Sequence, residues 1–211
     1  MIRRLVPILF LAAVLGAPQA AHAAVSLEVF YGLSRPRADS FSQAVSGTAN
    51  DPNLIADSLN IAGGDLIFHL GLLEIGGIID ASWKSNSASQ TAIGGLIGVG
   101  GDWAGWLRLE ALGEVGADRY GNFANNPNIV TSGSSNQWFM YVGLRPGVAI
   151  HIPVSDEGKV GVLLGVWGFA RWDLNTSSMP VTVGSAGSTS PGSIKLGGTT
   201  LGAELRLGVE F

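Results

Sequence analysis

Apolar and polar positions alternate along the C-terminal end of the chain. From Leu201 to Phe211 every odd-numbered position is apolar, whereas the even-numbered positions hold glycine or a charged residue. Successive side chains of a β-strand point to opposite faces, so this spacing predicts a strand with one apolar and one polar face.

The same alternation recurs upstream and predicts eight strands in all. The segments between residues 61 and 100 are rich in glycine and fit the alternation less regularly than the others. Pro146 falls on the apolar face of its strand, where we expect a local bulge or bend because proline cannot donate a ladder hydrogen bond. The predicted strands are 25–32, 61–72, 75–85, 92–100, 107–118, 138–151, 159–171 and 200–211.

Long and short connections alternate between these strands. The long ones are 34–59, 119–136 and 173–193, and the short ones lie near Glu74, at 102–105 and at 153–158; the link 86–89 is a short exception. Short turns at one end and long loops at the other are typical of membrane β-barrels. The predicted fold is therefore all-β, an antiparallel up-and-down transmembrane barrel of eight strands.

The long loops are polar and are candidates for recognition. Thr131–Asn136 and Gly184–Ser193 are rich in serine, threonine, asparagine and glycine, and we expect both to be flexible and solvated. An extracellular ligand, if the protein has one, is expected to bind at the loops 34–59, 119–136 and 173–193. Asp39, Asp51 and Asp57 match no calcium-loop spacing and are interpreted as solvated surface residues.

The overall composition supports a membrane protein without spanning helices. Hydrophobic residues make up 46% of the chain and charged residues 13%, with a mean hydropathy of +0.33. The best candidate helix after the N-terminus, Leu66 to Ala81, is interrupted by His69, Glu74 and Asp80, each costly in a lipid-exposed helix. A closed barrel is the other structure that can span a bilayer.

The N-terminus has the organisation of a secretory signal peptide. Arg3 and Arg4 precede an apolar run from Leu5 to Ala17, and Ala21-His22-Ala23 supplies small residues for a signal peptidase. The run is too short for an uncleaved membrane anchor. We expect a signal peptide at 1–23, an outer-membrane barrel at 24–211, and export to the outer membrane of a Gram-negative bacterium.

Charge and cysteine content exclude other classes. Removing Arg3 and Arg4 from the 12 basic residues leaves ten against 16 acidic ones, a net charge of −6 for the mature chain. Without a basic patch, nucleic acid is not an expected partner. The chain has no cysteine, so it forms no disulfide and no thiolate metal site.

The tryptophans fall near the predicted strand ends, as the aromatic girdles of membrane barrels do. Trp167 is the exception, within a strand and on its lumen side. The predicted girdle consists of Trp83, Trp138 and Trp172 at the outer ends, and Trp103 and Trp106 at an inner turn. A soluble eight-stranded ligand carrier, the main rival architecture, would turn its apolar face inward instead.

In these features the chain resembles the small outer-membrane barrels of the OmpA and OmpX type. Its terminal Phe211, with Val209, Leu207 and Leu205 at alternate positions, is similar to the C-terminal signal read by the barrel-assembly machinery. The resemblance implies outer-membrane lipids and that machinery as partners.

Charged residues on the lumen faces are the main candidate site. An eight-stranded barrel has room inside for little more than side chains, so these charges must pair. We expect Glu110 or Glu114 to pair with Arg145, and Glu28 with Arg206; Ala117 opposite Trp138 would place Glu110 opposite Arg145. The predicted lumen charges are Glu28, Asp80, Arg108, Glu110, Glu114, Arg145, Arg171, Glu204 and Arg206.

Reactive chemistry is not expected. His69, on a lumen face, is interpreted as a satisfied interior group, and neither it nor His151 belongs to a set with metal-ligand spacing. The glycines from Gly98 to Gly101 lead into another strand rather than a helix, so they are not a nucleotide loop. No cofactor is expected.

Three functions remain after these exclusions. The preferred one is a structural or surface-interaction barrel with a plugged lumen, and the second is a narrow porin-like conduit for small solutes. The third, a lipid-modifying enzyme, is disfavoured because neither His69 nor His151 has a serine two residues away, as the resemblance to lipid A deacylases would require.

Overall fold

The computed structural model describes residues 23–36, 43–45, 58–85, 87–103, 105–122, 129–132, 136–155, 160–185 and 188–211. The predicted signal peptide lies outside these residues except for Ala23, whose backbone opens the first strand. Its cleavage therefore stays a prediction. Within the described ranges, no helix has the length and apolar character needed to cross a bilayer.

Eight strands form a closed antiparallel barrel, which confirms the predicted fold class. The barrel closes where the first strand pairs with the last, with Leu27 opposite Val209. The barrel strands are β1 (Ala23–Pro36), β3 (Leu59–Leu70), β4 (Leu73–Trp83), β5 (Ser89–Trp103), β6 (Leu107–Gly121), β8 (Gln137–Pro153), β9 (Gly161–Asp173) and β12 (Thr199–Glu210). Around the barrel their order is β1-β12-β9-β8-β6-β5-β4-β3.

The two ends of the barrel differ. At the turn end, where the first strand begins and the last one ends, a two-residue link of Gly71 and Leu72 joins β3 to β4. Gly71 has a φ of 70°, which glycine adopts without strain. This link comes slightly before Glu74, which lies within β4. At the opposite end, the loop end, the long connections leave the barrel.

A second, four-stranded sheet is built from the three long connections. Its strands are β2 (Gln43–Val45), β7 (Ile129–Ser132), β10 (Ser177–Ser185) and β11 (Ser188–Leu196), in the order β2-β11-β10-β7. The expectation that Thr131–Asn136 and Gly184–Ser193 are flexible is therefore wrong for the parts of them within these strands. β10 and β11 pair with each other as a local hairpin, and their outer edges pair with β7 and β2, which are far away in the sequence. A local polar composition does not reveal these long-range pairings.

The apolar faces of the barrel strands point outward. Leu205 is 63% exposed and Leu164 is 52% exposed, whereas inward neighbours such as Arg206 and Leu163 are buried. The interior holds both charged residues and a small apolar cluster that includes Phe30, Leu112 and Phe169. A barrel with this exterior differs from the soluble carrier, whose outer face would be polar.

The hydrogen-bond ladder between β8 and β9 is interrupted at Arg145 and Pro146. On either side of the gap the register is the same, with Leu144 opposite Ala170 and Gly147 opposite Trp167. Proline lacks the N–H that a ladder needs. The predicted irregularity is therefore a local break in the ladder without the extra residue of a β-bulge.

Candidate functional site

Four arginines from four strands meet in the lumen. Arg108 lies on β6, Arg145 on β8, Arg171 on β9 and Arg206 on β12, and none is more than 5% exposed. Strand alternation turns all four inward, on the face opposite the exposed leucines and valines. The five carboxylates predicted for the lumen are buried as well: Glu28, Asp80, Glu110, Glu114 and Glu204.

Glu204 joins two of these arginines at the centre of the lumen. Arg145 donates from Nη1 to Glu204 Oε1 over 2.5 Å, and Arg206 donates from Nε to the same oxygen over 2.7 Å. Arg206 also binds Asp65, and its Nη1 lies 3.4 Å from Glu28 Oε2. The predicted pair of Glu28 and Arg206 is thus present, although it is the longest contact of this group.

Towards the loop end, Glu114 joins Arg145 to Arg171. Arg145 Nη2 lies 3.2 Å from Glu114 Oε2, and Arg171 Nη2 lies 2.7 Å from Glu114 Oε1. Tyr141 donates its hydroxyl to Glu114 over 2.5 Å, and Arg171 Nη1 reaches Asp80 Oδ1 at 3.1 Å. Asp80, Arg171, Glu114, Arg145, Glu204 and Arg206 therefore form one continuous central chain of ion pairs.

Aromatic rings fill the space between the guanidinium groups. Arg145 Cζ lies 4.8 Å from the ring centre of Phe169, and Arg206 Cζ lies 4.8 Å from that of Trp167. Arg171 Cζ lies 4.9 Å from the Tyr141 ring. Guanidinium groups stacked on rings in this way gain cation–π attraction while excluding water.

At the turn end, Arg108 is surrounded by carboxylates. Its Nε lies 3.2 Å from Glu110 Oε1, and its Nη1 binds Glu210. Glu74 Oε1 lies 3.7 Å from Arg108 Nη2, and Asp102 Oδ1 lies 3.8 Å from Nε. Arg108 is thus the centre of a second cluster of ion pairs.

Of the two expected partners of Arg145, Glu114 is the one it binds, and the expected register with Glu110 opposite Arg145 is wrong. Ala117 lies opposite Met140 rather than Trp138, so the residue opposite Arg145 is Leu112. Glu114 takes the expected role, and Glu110 instead accepts a hydrogen bond from Trp167 Nε1 over 3.1 Å. The two-residue difference in register leaves every side chain on its predicted face, which is why alternation alone did not detect it.

Ser26, His69 and Glu74 lie in hydrogen-bond contact, an arrangement that the sequence analysis missed. His69 Nδ1 lies 2.9 Å from Glu74 Oε1, and His69 Nε2 lies 3.0 Å from Ser26 Oγ. This is the order of a nucleophile, a base and an orienting acid. Two further contacts compete with those of this arrangement. Ser26 Oγ donates to Glu28 Oε1 over 3.1 Å, and Arg108 Nη2 lies 3.0 Å from His69 Nδ1. Ser26 has no exposed surface.

A third polar cluster lies at the loop end of the lumen. Gln90 Nε2 donates to Asp118, and Tyr120 donates its hydroxyl to Asp173 Oδ2 over 3.0 Å. The backbone N–H of Gly198 donates to the same Asp173 oxygen over 2.8 Å. Side-chain pairing thus continues from the turn end to the loop end.

Several lumen residues were not predicted. Asp65 lies on the inward face of β3 with Ile67 and His69. Its spacing of four residues from His69 could have predicted this inward position. Glu74 is expected near a turn and instead lies within β4, and Tyr141 lies buried on the inward face of β8. Ser26 could not be found from spacing, because its contact with His69 joins residues 43 positions apart.

No metal centre is apparent in the described ranges. No group of three or more histidine, aspartate and glutamate side chains there is arranged to hold an ion. His151 Nδ1 lies 3.0 Å from Asp102 Oδ2, which makes it part of the turn-end polar cluster. Asp39, Asp51 and Asp57 lie outside the described residues.

The residues of the predicted girdle and assembly signal lie on the outside of the barrel. The tryptophans of the girdle are between 40% and 57% exposed: Trp83, Trp103, Trp106, Trp138 and Trp172. Leu205, Leu207, Val209 and Phe211 point outward on one face, and the Phe211 backbone exchanges two 2.9 Å hydrogen bonds with Val25.

Comparisons with known proteins define the fold class. The chain matches outer membrane protein OprG from Pseudomonas aeruginosa with a TM-score of 0.53 and 9% identity, over 90% of this chain and 97% of that one. It also matches Neisserial surface protein A (NspA) with a TM-score of 0.49 and 13% identity, over 91% of this chain and 98% of that one. No family model matches the chain, and no curated protein does. At 9% identity, the likeness to OprG supports the barrel fold and nothing narrower.

Proposed function

We propose that this protein is an integral outer-membrane barrel of a Gram-negative bacterium whose lumen is plugged by paired charges and whose role is structural or surface-interacting. The observation that carries the proposal is the continuous chain of ion pairs through the lumen, from Asp80 through Arg145 to Arg206. A barrel of eight strands leaves little space that such side chains do not occupy.

The barrel exterior supports the membrane location. Exposed leucine, isoleucine and valine cover its outer wall, and tryptophans stand near both ends of the strands, as in a barrel solvated by lipid. In this proposal the signal peptide directs export, and the barrel-assembly machinery reads the C-terminal residues ending in Phe211. The turn end faces the periplasm and the loop end faces the outside.

A role in recognition is proposed for the loop end. The second sheet stands on the three long connections, so the chain presents an ordered surface there instead of separate loops. Binding residues are commonly carried by loops on a rigid scaffold. An extracellular ligand would therefore meet the connections 34–59, 119–136 and 173–193.

A liposome swelling assay tests the plug. Vesicles that contain the folded barrel should swell in small sugars and amino acids at the rate of empty vesicles. A solute-dependent increase in that rate would instead favour the second candidate, a narrow porin-like conduit. One observation favours the conduit: buried oxygens of Asp65, Glu74, Asp118 and Glu204 lack a hydrogen-bond partner, and such atoms are commonly solvated by internal water.

Enzyme activity is not part of the proposal, although Ser26, His69 and Glu74 have the order of a catalytic triad. Ser26 is fully buried, and Glu28 competes for its hydroxyl proton. We expect cells that carry Ser26→Ala to have the same outer-membrane lipid profile as cells with the wild type. A lipid product that appears with the wild type and disappears with the variant would contradict this expectation.

A further inference from the structure

The basic side chains that the structure describes outside the lumen lie at one end of the barrel. They are Arg35 and Lys84, which are exposed, and Arg119, which is partly exposed, and all three belong to the loop end. The mature chain has a net charge of −6. Cations on a negatively charged protein raise the local potential where they cluster, so their placement at one rim indicates an anionic contact there.

Arg35 and Lys84 lie at the loop ends of β1 and β4, the two strands that flank β3. The register pairs Ser34 of β1 with Leu59 of β3, and Asn60 of β3 with Trp83 of β4. Continuing these pairings outward sets Arg35 level with Ser58 and Ser85, beside Lys84. All four of these side chains are exposed. The two cations and the two hydroxyl groups of this rim therefore lie at about the same height on the barrel wall.

An aromatic pair lies directly below this rim on the outer wall. The rings of Tyr31 and Trp83 meet edge to face with centroids 6.5 Å apart, and the Tyr31 hydroxyl donates to Asn60 Oδ1 over 3.2 Å. Below them the wall consists of exposed apolar residues such as Val29 and Leu66. The order along the wall is thus cationic and hydroxylic, then aromatic, then apolar.

A phosphorylated lipid has the same order of parts. Its phosphates lie above the interfacial zone that tyrosine and tryptophan prefer, and its acyl chains lie below it. Arginine binds phosphate oxygens through a planar fork, lysine adds a point charge, and serine hydroxyls donate hydrogen bonds. Basic clusters at this depth are the usual protein partners of anionic lipid head groups.

We propose that Arg35, Ser58, Lys84 and Ser85 bind the phosphorylated head group of an outer-leaflet glycolipid, whose acyl chains lie along Tyr31 and Trp83. The proposal rests on the outer-membrane location but is independent of the plugged lumen and of any role of the loops. It commits to a lipid because the aromatic and apolar surface continues directly from the cations. Free phosphate would use the cations alone.

The test measures lipid binding by the mature chain folded in phosphatidylcholine vesicles. Diphosphorylated lipid A is titrated into wild type and into the double variant Arg35→Ala/Lys84→Ala, with enzymatically dephosphorylated lipid A and inorganic phosphate as separate probes. Loss of two cations at the interface should weaken binding of the diphosphorylated lipid by about 10- to 30-fold. The dephosphorylated lipid and inorganic phosphate should bind weakly to both proteins.

Two further variants distinguish lipid binding at this site from a general effect of positive charge on the barrel. Arg35→Lys/Lys84→Arg keeps both charges and should bind within about threefold of wild type. Arg119→Ala removes an outward-facing cation at the same end but on β6, and it should also stay within about threefold. Circular dichroism and resistance to heat unfolding confirm that each variant is folded in the vesicles.

Several results would overturn the site. These are equal binding by the double variant and wild type, equal binding of phosphorylated and dephosphorylated lipid, competition by inorganic phosphate at similar concentration, or an Arg119→Ala loss as large as that of the double variant. A chain that does not insert into vesicles at all would instead contradict the outer-membrane location, which keeps the two failures distinct.

Discussion

At the scale of single residues, Arg145 has the most demanding environment in the barrel. Its guanidinium is fully buried, contacts Glu114 and Glu204, and lies over the Phe169 ring. Removing one member of a buried ion pair leaves an uncompensated charge, which is more costly than removing both members. The ion pairs therefore have to be tested together rather than one at a time.

A mutant cycle on Arg145 and Glu204 tests this coupling. Arg145→Met alone should lower the free energy of unfolding by about 3 kcal/mol, because Glu114 and Glu204 each lose one of their two arginine partners. The double variant Arg145→Met/Glu204→Gln should lose less than the sum of the two single variants, with a coupling energy of about 1 to 3 kcal/mol. Urea titration in lipid vesicles supplies the free energies.

The matched control for this cycle is Arg145 with Glu110. Both are buried lumen residues, but Glu110 contacts Arg108 and Trp167 instead. The coupling energy between Arg145 and Glu110 should fall below about 0.5 kcal/mol. Coupling of equal size in both pairs would mean that the measured term is a general electrostatic effect and would contradict the specific chain of contacts.

At the scale of elements, the loss of folding free energy caused by a charge on the outer wall depends on the depth of that side chain in the bilayer. Val166 lies near the middle of β9 and is 49% exposed, whereas Val160 lies just before that strand at the turn end. Val166→Arg should destabilise the folded barrel by about 2 to 4 kcal/mol, and Val160→Arg by about 0 to 1 kcal/mol. Folding titrations in vesicles measure both, and equal costs would argue against a lipid-facing wall.

The second sheet gives another prediction at this scale. Backbone pairing joins β10 to β11 over the whole length from Ser177–Leu196 to Ser185–Ser188. Amides of 177–185 should therefore exchange with deuterated water more slowly than those of an unstructured loop, by at least about tenfold. Hydrogen-exchange mass spectrometry checks this, and exchange at the rate of an unfolded peptide would rule the sheet out.

Alternation of side chains made the barrel strands predictable, because lipid and lumen impose opposite chemistry on the two faces. The register between β6 and β8 was not predictable, since a shift of two residues leaves Glu110 and Glu114 on the same face. The second sheet had a partial signal in Met179, Val181 and Val183, which repeat every second residue. Its pairing partners were hidden because they come from three separate connections.

At the scale of the whole molecule, the barrel distributes apolar and charged side chains in the opposite way to a water-soluble protein. Apolar side chains are exposed on the outside, and charged side chains are buried in the lumen, where the arginines bind carboxylates. A bilayer supplies the apolar solvent that such an exterior requires. The same closure that removes strand edges also confines the charged side chains to the lumen, where they pair with one another.

The charged lumen and the proposed lipid rim are separate features of this barrel. The ion pairs lie on inward faces, and Arg35 and Lys84 lie at the outer rim. Changes at the rim should therefore alter lipid binding without opening the lumen. The central claim about function concerns the lumen alone.

Single-channel recording in planar lipid bilayers tests that claim most directly. The proposed plug predicts that wild-type barrels add no conductance steps to the baseline of the lipid, because the chain of ion pairs from Asp80 to Arg206 would fill the lumen. A variant in which Arg145, Glu204 and Arg206 are all replaced by alanine should, once shown to be folded, produce measurable steps and so prove that the assay detects an opened barrel. Sustained open-channel current through the wild type would contradict the plugged lumen and make the conduit the better account.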